Sequence, residues 1–83
     1  MGKVAVIDYG MGNLHSVGKA LEKVSQKKRV IVTSNVSEIN NAERLVLPGV
    51  GAIKDCMEAL SSKGLEEVVI KNSSRKPILA VCV

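Results

Sequence analysis

The amino-acid sequence predicts an α/β fold, a doubly wound parallel sheet with helices on both faces. Two observations lead to this class. Short runs rich in β-branched residues alternate with segments whose apolar residues recur every three or four positions, as in strands connected by helices. The strand-like runs also lack strict apolar–polar alternation, so we expect them to be covered on both faces.

The first predicted strand spans residues 3–8 and ends at the glycine-bearing turn 9–12. Asn13 is placed to cap the helix that follows. The apolar residues of that helix have three-four spacing and would pack on the sheet; they are Leu14, Val17, Leu21 and Val24.

The next elements are shorter. Residues 29–33 predict a second strand, and residues 44–47 predict a third. Between them, residues 34–41 predict a short helix in which Asn35 and Glu38 have the spacing of a capping box.

The Pro-Gly-Val-Gly segment 48–51 is expected to end the third strand abruptly. A second long helix is predicted from Ala52, with Gly64 as its C-cap. One face of this helix would be apolar and would carry Ile53, Cys56, Met57 and Leu60.

The last part of the chain predicts a further turn or two of helix over 65–71, a polar loop over 72–77 and a buried strand over 78–83. Because this strand is apolar up to Val83, we expect the natural chain to continue. We therefore interpret residues 1–83 as the N-terminal part of a single domain, truncated after its fourth strand.

The composition argues against several functional classes. The net charge of +4 comes in part from basic clusters at 27–29 and 75–76, but Tyr9 is the only aromatic residue. The stacking residues of a typical nucleic-acid surface are therefore missing, and we expect no nucleic-acid binding. The longest apolar run is 78–83, far shorter than the roughly 20 residues of a membrane span, so we expect a soluble protein. The N-terminal apolar run is followed by Asp8 and not by a small-residue cleavage site, so we expect no secretory signal and a cytoplasmic location.

In doubly wound sheets, ligands bind at the carboxyl ends of the strands. Here that edge would hold the segments 8–13, 48–51 and 82–83. Cys82 has the position of a nucleophile on a strand-to-helix elbow, although a buried cysteine in a strand is more often inert, and Ala80 stands where an elbow glycine is typical. The glycines of 48–51 would allow backbone N–H groups to point into an oxyanion hole, or would form an ordinary turn.

The remaining candidates are weaker. Segment 8–13 carries G-x-G without a third glycine or a P-loop lysine, which gives little support for dinucleotide binding. His15, the only histidine, is better explained as a solvated residue than as a partner of Cys82, so a general base is missing. Cys56 and Cys82 lack the paired spacing of a metal site or disulfide framework, and we expect free thiols, no metal and no cofactor.

Three segments together resemble a known family: IDYGMGNLHSV at 7–17, LVLPGVGAI at 45–53 and KPILAVCV at 76–83. Their order and spacing resemble the glutaminase subunits of imidazole glycerol phosphate synthase, which are class I glutamine amidotransferases of histidine biosynthesis. The stretch 8–13 favours this family over other class I amidotransferases, and the resemblance covers the whole chain.

The resemblance implies a flavodoxin-like sheet in which Cys82 attacks the side-chain amide of L-glutamine and releases ammonia. Oxyanion N–H groups would come from Val50 or Gly51 and from Val83. Gly49 and Gly51 would line the glutamine site.

The family also implies a partner, a cyclase subunit with a (β/α)₈ barrel, near Gly12 and Asn13. The catalytic histidine and glutamate would lie beyond residue 83, so the chain alone is expected to be inactive. Two positions depart from the family, because glycine is common at Ala80 and an aromatic residue at Ile53.

Two alternatives stay open from the sequence. One is another class I amidotransferase, such as the pyridoxal phosphate-linked glutaminase. The other is a non-catalytic binding or oligomerisation module that associates through the exposed edge of the last strand.

Overall fold

The structure of the protein is a computed structural model. It describes residues 2–10, 14–24, 29–49 and 53–82, and it describes only the backbone of Val24, Ile53 and Cys82.

The described residues form one four-stranded parallel sheet with helices on both faces. The strands are β1 (Lys3–Ile7), β2 (Arg29–Thr33), β3 (Arg44–Gly49) and β4 (Ile78–Cys82), in the order β2-β1-β3-β4. The helices are α1 (Leu14–Val24), α2 (Val36–Asn41), α3 (Ile53–Ser62) and α4 (Glu66–Ser73). The predicted fold class is confirmed, and this strand order is that of flavodoxin-like folds.

Both faces of the central strands are buried, which explains the missing apolar–polar alternation. Ala5 and Leu45 belong to one core cluster, which they share with residues of α2, α3 and α4. Val4, Val6 and Val46 belong to a second cluster, packed against apolar side chains of α1. Successive residues of a strand point to opposite faces, so a strand covered on both sides is apolar at every position.

The sheet has a switch point between β1 and β3. From β1 the chain enters α1 on one face of the sheet, whereas β3 precedes α3, which packs on the opposite face. In doubly wound sheets such a divergence opens a crevice at the carboxyl ends of the two strands, where ligands bind.

The third strand is longer than predicted. Pro48 and Gly49 do not end it but extend it, paired with Val81 and Cys82 of β4. On its other side, the pairing with β1 stops at Val46. Pro48 can continue the strand because the pairing between β1 and β3 has already ended at Val46. No hydrogen bond with β1 is lost when residue 48 has no N–H group.

The predicted cap of α2 is confirmed, with one difference. The Asn35 side chain accepts a hydrogen bond from the Glu38 backbone N–H at 3.0 Å. In a capping box the Glu38 carboxylate would return to the Asn35 N–H, but here it accepts from the Thr33 hydroxyl instead. The Thr33 oxygen in turn accepts from the Asn35 N–H at 3.0 Å, so the end of β2 completes the cap.

Gly64 is the C-cap of α3, as predicted. Its φ is +71°, and two backbone bonds close the helix, Leu65 N–H to Leu60 O at 2.9 Å and Gly64 N–H to Ser61 O at 3.0 Å. These bonds define a Schellman motif, in which Leu60 and Leu65 are both buried. The helical turn predicted after it is α4, which extends two residues into the segment expected to be loop.

The fourth strand is at the edge of the sheet and is less buried than predicted. It pairs with β3 alone, and Leu79 is 57% exposed. Because α1 packs on β1 and β2, an open hollow of about 370 Å³ remains on this face, lined in part by Leu21, Val46 and Leu79. None of the helices described in the structure is long and apolar enough to cross a membrane.

Lys76, just before β4, binds the C-terminal end of α2. Its ammonium group donates to the carbonyl oxygens of Ile39, Asn40 and Ala42 at 3.1, 2.8 and 2.6 Å. These carbonyls lie at the negative end of the helix, where backbone oxygens lack most of their intrahelical donors. The Ile39 oxygen also accepts from the Ala42 N–H at 3.3 Å. Burial lowers the pKa of Lys76, and the nearby charge of Arg75 lowers it further.

We expect Lys76→Met to lower the free energy of unfolding by about 1–3 kcal/mol, because three helix-terminal carbonyls lose a charged donor. Urea denaturation followed by circular dichroism measures this change. The control is Lys19→Met on the exposed side of α1, for which we expect a change within about 0.5 kcal/mol. An equal loss in both variants would contradict the proposed cap.

Candidate functional site

The strand register brings the two main sequence candidates together. Gly49, at the end of β3, pairs directly with Cys82, at the end of β4. Neighbouring strands lie about 4.8 Å apart, so the backbone of the proposed nucleophile is adjacent to Gly49, the first glycine of segment 48–51. Two segments separated by more than thirty residues in the sequence therefore meet at one edge.

Tyr9 is the buried residue at the centre of this edge. It lies two residues after the end of β1, is 1% exposed, and its hydroxyl donates a hydrogen bond to the carbonyl oxygen of Pro48. Burial raises the pKa of the Tyr9 phenol well above its ordinary value, and a hydrogen bond with the Cys56 side chain raises it further. The phenol therefore stays protonated, as a donor, across the physiological pH range.

Gly49 lies against the same group of side chains. A Cβ atom at this position would be 2.8 Å from Sγ of Cys56 and 3.5 Å from the Tyr9 hydroxyl oxygen. The first distance is too short for a normal contact, so only glycine fits here without a shift of the neighbouring side chain. Cys56 is a free, partly buried thiol on α3.

The turn after β1 is held by local hydrogen bonds. The Asp8 N–H donates to the carbonyl oxygen of Thr33 at 2.8 Å, and the Asp8 carboxylate accepts from the Gly10 N–H at 3.3 Å. Gly10 has a φ of +91°, a conformation that favours glycine. The carboxylate of Asp8 therefore stabilises the turn itself.

His15 lies far from the proposed nucleophile. It is exposed on α1 and lines a hollow with Val30 and Val32 of β2. Because β2 and β4 are at opposite edges of the four-stranded sheet, roughly 14 Å of sheet separates these strands. This supports the interpretation of His15 as a solvated residue.

Five of the site residues predicted from the sequence lie outside the described part of the chain. They are Gly12, Asn13, Val50, Gly51 and Val83. Within that described part, no group of three or more His, Cys, Asp or Glu side chains could hold a metal ion.

Comparison with known proteins shows close relatives. Over all 83 residues, the chain is 54% identical to the imidazole glycerol phosphate synthase subunit HisH of Nitrosococcus oceani and 55% identical to that of Pseudomonas putida. It is 49% identical to the HisH subunit of Methylococcus capsulatus. No protein-family model matches the chain.

The chain belongs to the HisH family. It aligns over its whole length and spans about 40% of the length of these relatives. The family assigned from the three sequence segments is thereby confirmed, and neither of the two alternative functions is favoured.

Sequence reasoning did not identify Tyr9 and Cys56 as parts of the site. One signal was present, because Tyr9 is the only aromatic residue and stands directly after a buried strand. A buried tyrosine hydroxyl needs a hydrogen-bond partner. Nothing in the sequence indicates that this partner is the carbonyl of Pro48 or that Cys56 packs on Gly49.

We expect Gly49→Ala to lower the free energy of unfolding by about 1–3 kcal/mol, because the new methyl group collides with Cys56 Sγ. Cys56→Ala in the same chain should recover most of this loss. Chemical denaturation of the two single variants and the double variant gives a coupling free energy, which we expect to exceed about 1 kcal/mol. If the two substitutions have additive effects on the free energy of unfolding, the contact with Cys56 is not the reason for glycine at position 49.

Proposed function

We propose that this chain is the N-terminal part of a glutaminase subunit of imidazole glycerol phosphate synthase, which hydrolyses L-glutamine to glutamate and ammonia. One observation carries the proposal. The parallel register pairs Cys82 with Gly49, so the proposed nucleophile lies beside the strand that leads into the proposed oxyanion turn. The sequence similarity to HisH subunits agrees with this interpretation.

In the proposed reaction, the Cys82 thiolate attacks the carbonyl carbon of the glutamine side-chain amide. The C–N bond then breaks, the nitrogen takes up a proton and leaves as ammonia, and a glutamyl thioester remains. Water attacks this thioester, which releases glutamate and restores the thiol. The base that removes the thiol proton would be a histidine beyond residue 83, oriented by a glutamate.

The turn after β3 would stabilise the negative charge of the tetrahedral intermediate. The N–H of Val50 or Gly51 would act together with the N–H of Val83, and such preorganised donors supply a large part of the rate enhancement in acyl transfer. Gly49 and Gly51 would line the glutamine site, where the lack of side chains leaves room for the substrate backbone.

The proposal includes the partner and the location. Gly12 and Asn13 would lie near the interface with the cyclase subunit, a (β/α)₈ barrel that receives the ammonia, in a heterodimer. Free thiols such as Cys56 are typical of a reducing compartment, and we place the protein in the cytoplasm. The 83 residues would be the first part of one amidotransferase domain and would be inactive alone.

We expect Cys82→Ala to reduce glutamine hydrolysis by at least about a thousandfold, because the reaction loses its nucleophile. The assay measures glutamate release by the complete subunit carrying this sequence, together with its cyclase partner.

The control is Ser62→Ala, which removes an exposed hydroxyl of α3 that bonds the Ala59 carbonyl of the same helix. We expect its rate to stay within about threefold of the unmodified protein, as Ser62 does not contact the candidate site. If Cys82→Ala hydrolyses glutamine as fast as the unmodified protein, the assignment of the nucleophile is wrong.

A further inference from the structure

We propose that Tyr9 is a positioning residue for the oxyanion turn. Its hydroxyl holds the carbonyl of Pro48 and so orients the peptide through which β3 leads into residues 50 and 51. This inference rests on the proposed function and extends it to a residue in the turn after β1.

The contact lies where the backbone pairing ends. The ladder between β1 and β3 stops at the pair Val6 and Val46, so Pro48 has no strand partner on the β1 side. Pro48 is nevertheless fully buried, and a buried carbonyl without a partner is costly. The hydroxyl of Tyr9 supplies a partner at the switch point of the sheet.

The hydrogen bond from Tyr9 to the Pro48 carbonyl also determines the direction of the Gly49 N–H group. A peptide unit is planar and trans, so the orientation of the Pro48 carbonyl determines where the N–H of Gly49 points. Cys56 restricts the same peptide because its Sγ leaves no room for a Cβ on Gly49. On the other side, β4 pairs with Pro48 and Gly49. The end of β3 is therefore held by the side chains of Tyr9 and Cys56 and by the backbone of β4.

Precise placement of this peptide matters for catalysis. Oxyanion donors act only when they lie within hydrogen-bond distance of the developing charge, and a displacement of about 1 Å can cost on the order of a hundredfold in rate. The proposed donors are one and two residues after Gly49. Removal of the Tyr9 hydroxyl should therefore weaken binding of the transition state more than binding of glutamine.

The test is Tyr9→Phe in the complete subunit, assayed with its cyclase partner. We expect kcat to fall roughly tenfold while KM for glutamine changes less than about twofold, because the lost interaction acts in the transition state. Circular dichroism and a thermal melt measure the fraction of folded protein at the assay temperature, and kcat is expressed per folded subunit. Unfolded protein then does not contribute to the difference between the variants.

The matched control is Thr33→Val, which removes another buried hydroxyl at the end of β2, away from β3. We expect its kcat per folded subunit to be unchanged. An equal fall in both variants, or an unchanged kcat in Tyr9→Phe, would overturn the role of Tyr9.

A second comparison separates hydrogen bonding from packing. Incorporation of 4-aminophenylalanine at position 9 keeps a donor, whereas 4-methylphenylalanine fills similar space without one. We expect the amino variant to retain kcat within about twofold and the methyl variant to show the tenfold loss. Equal values of kcat would contradict the proposal. Full activity of Cys82→Ala would instead overturn the proposed function, so the two failures are distinguishable.

Discussion

The register of β3 between β1 and β4 is the constraint on which the candidate site depends. The strand pairs with β1 through Val46 and with β4 through Gly49. Because the side chains of a strand alternate between faces, a shift by one residue would move Leu45 from its core cluster to the opposite face of the sheet and would separate Gly49 from Cys82. The same pairing that buries the core therefore brings the candidate nucleophile beside Gly49.

At the carboxyl edge, side chains replace the backbone ladder. β1 and β3 diverge there, as strands do at a switch point, and the buried carbonyl of Pro48 needs a partner. The hydroxyl of Tyr9 provides that partner. The Sγ atom of Cys56 occupies the space that a side chain at position 49 would need. These interactions stabilise the fold and, under the proposed function, also determine the geometry of the turn.

At the amino edge of the sheet, the ammonium group of Lys76 holds the start of β4 in place. It binds three carbonyls at the end of α2, and the Leu45 N–H donates to the Pro77 carbonyl at 3.1 Å as β4 begins. The start of β4 is thus fixed against both α2 and β3. Cys82 is the last residue of β4, so its position in the sheet depends on where the strand begins. Contacts at the amino edge therefore contribute to the pairing of Cys82 at the carboxyl edge.

The sequence by itself determined the fold class, the order of the elements and the family, because these depend on hydrophobic periodicity, caps and the spacing of short motifs. The N-cap at Asn35 and the C-cap at Gly64 could be predicted since such signals act over a few residues. Only the tertiary structure decided that β3 continues through Pro48 and that Tyr9 lies against it. These features depend on contacts between residues distant in the sequence, which no local pattern encodes.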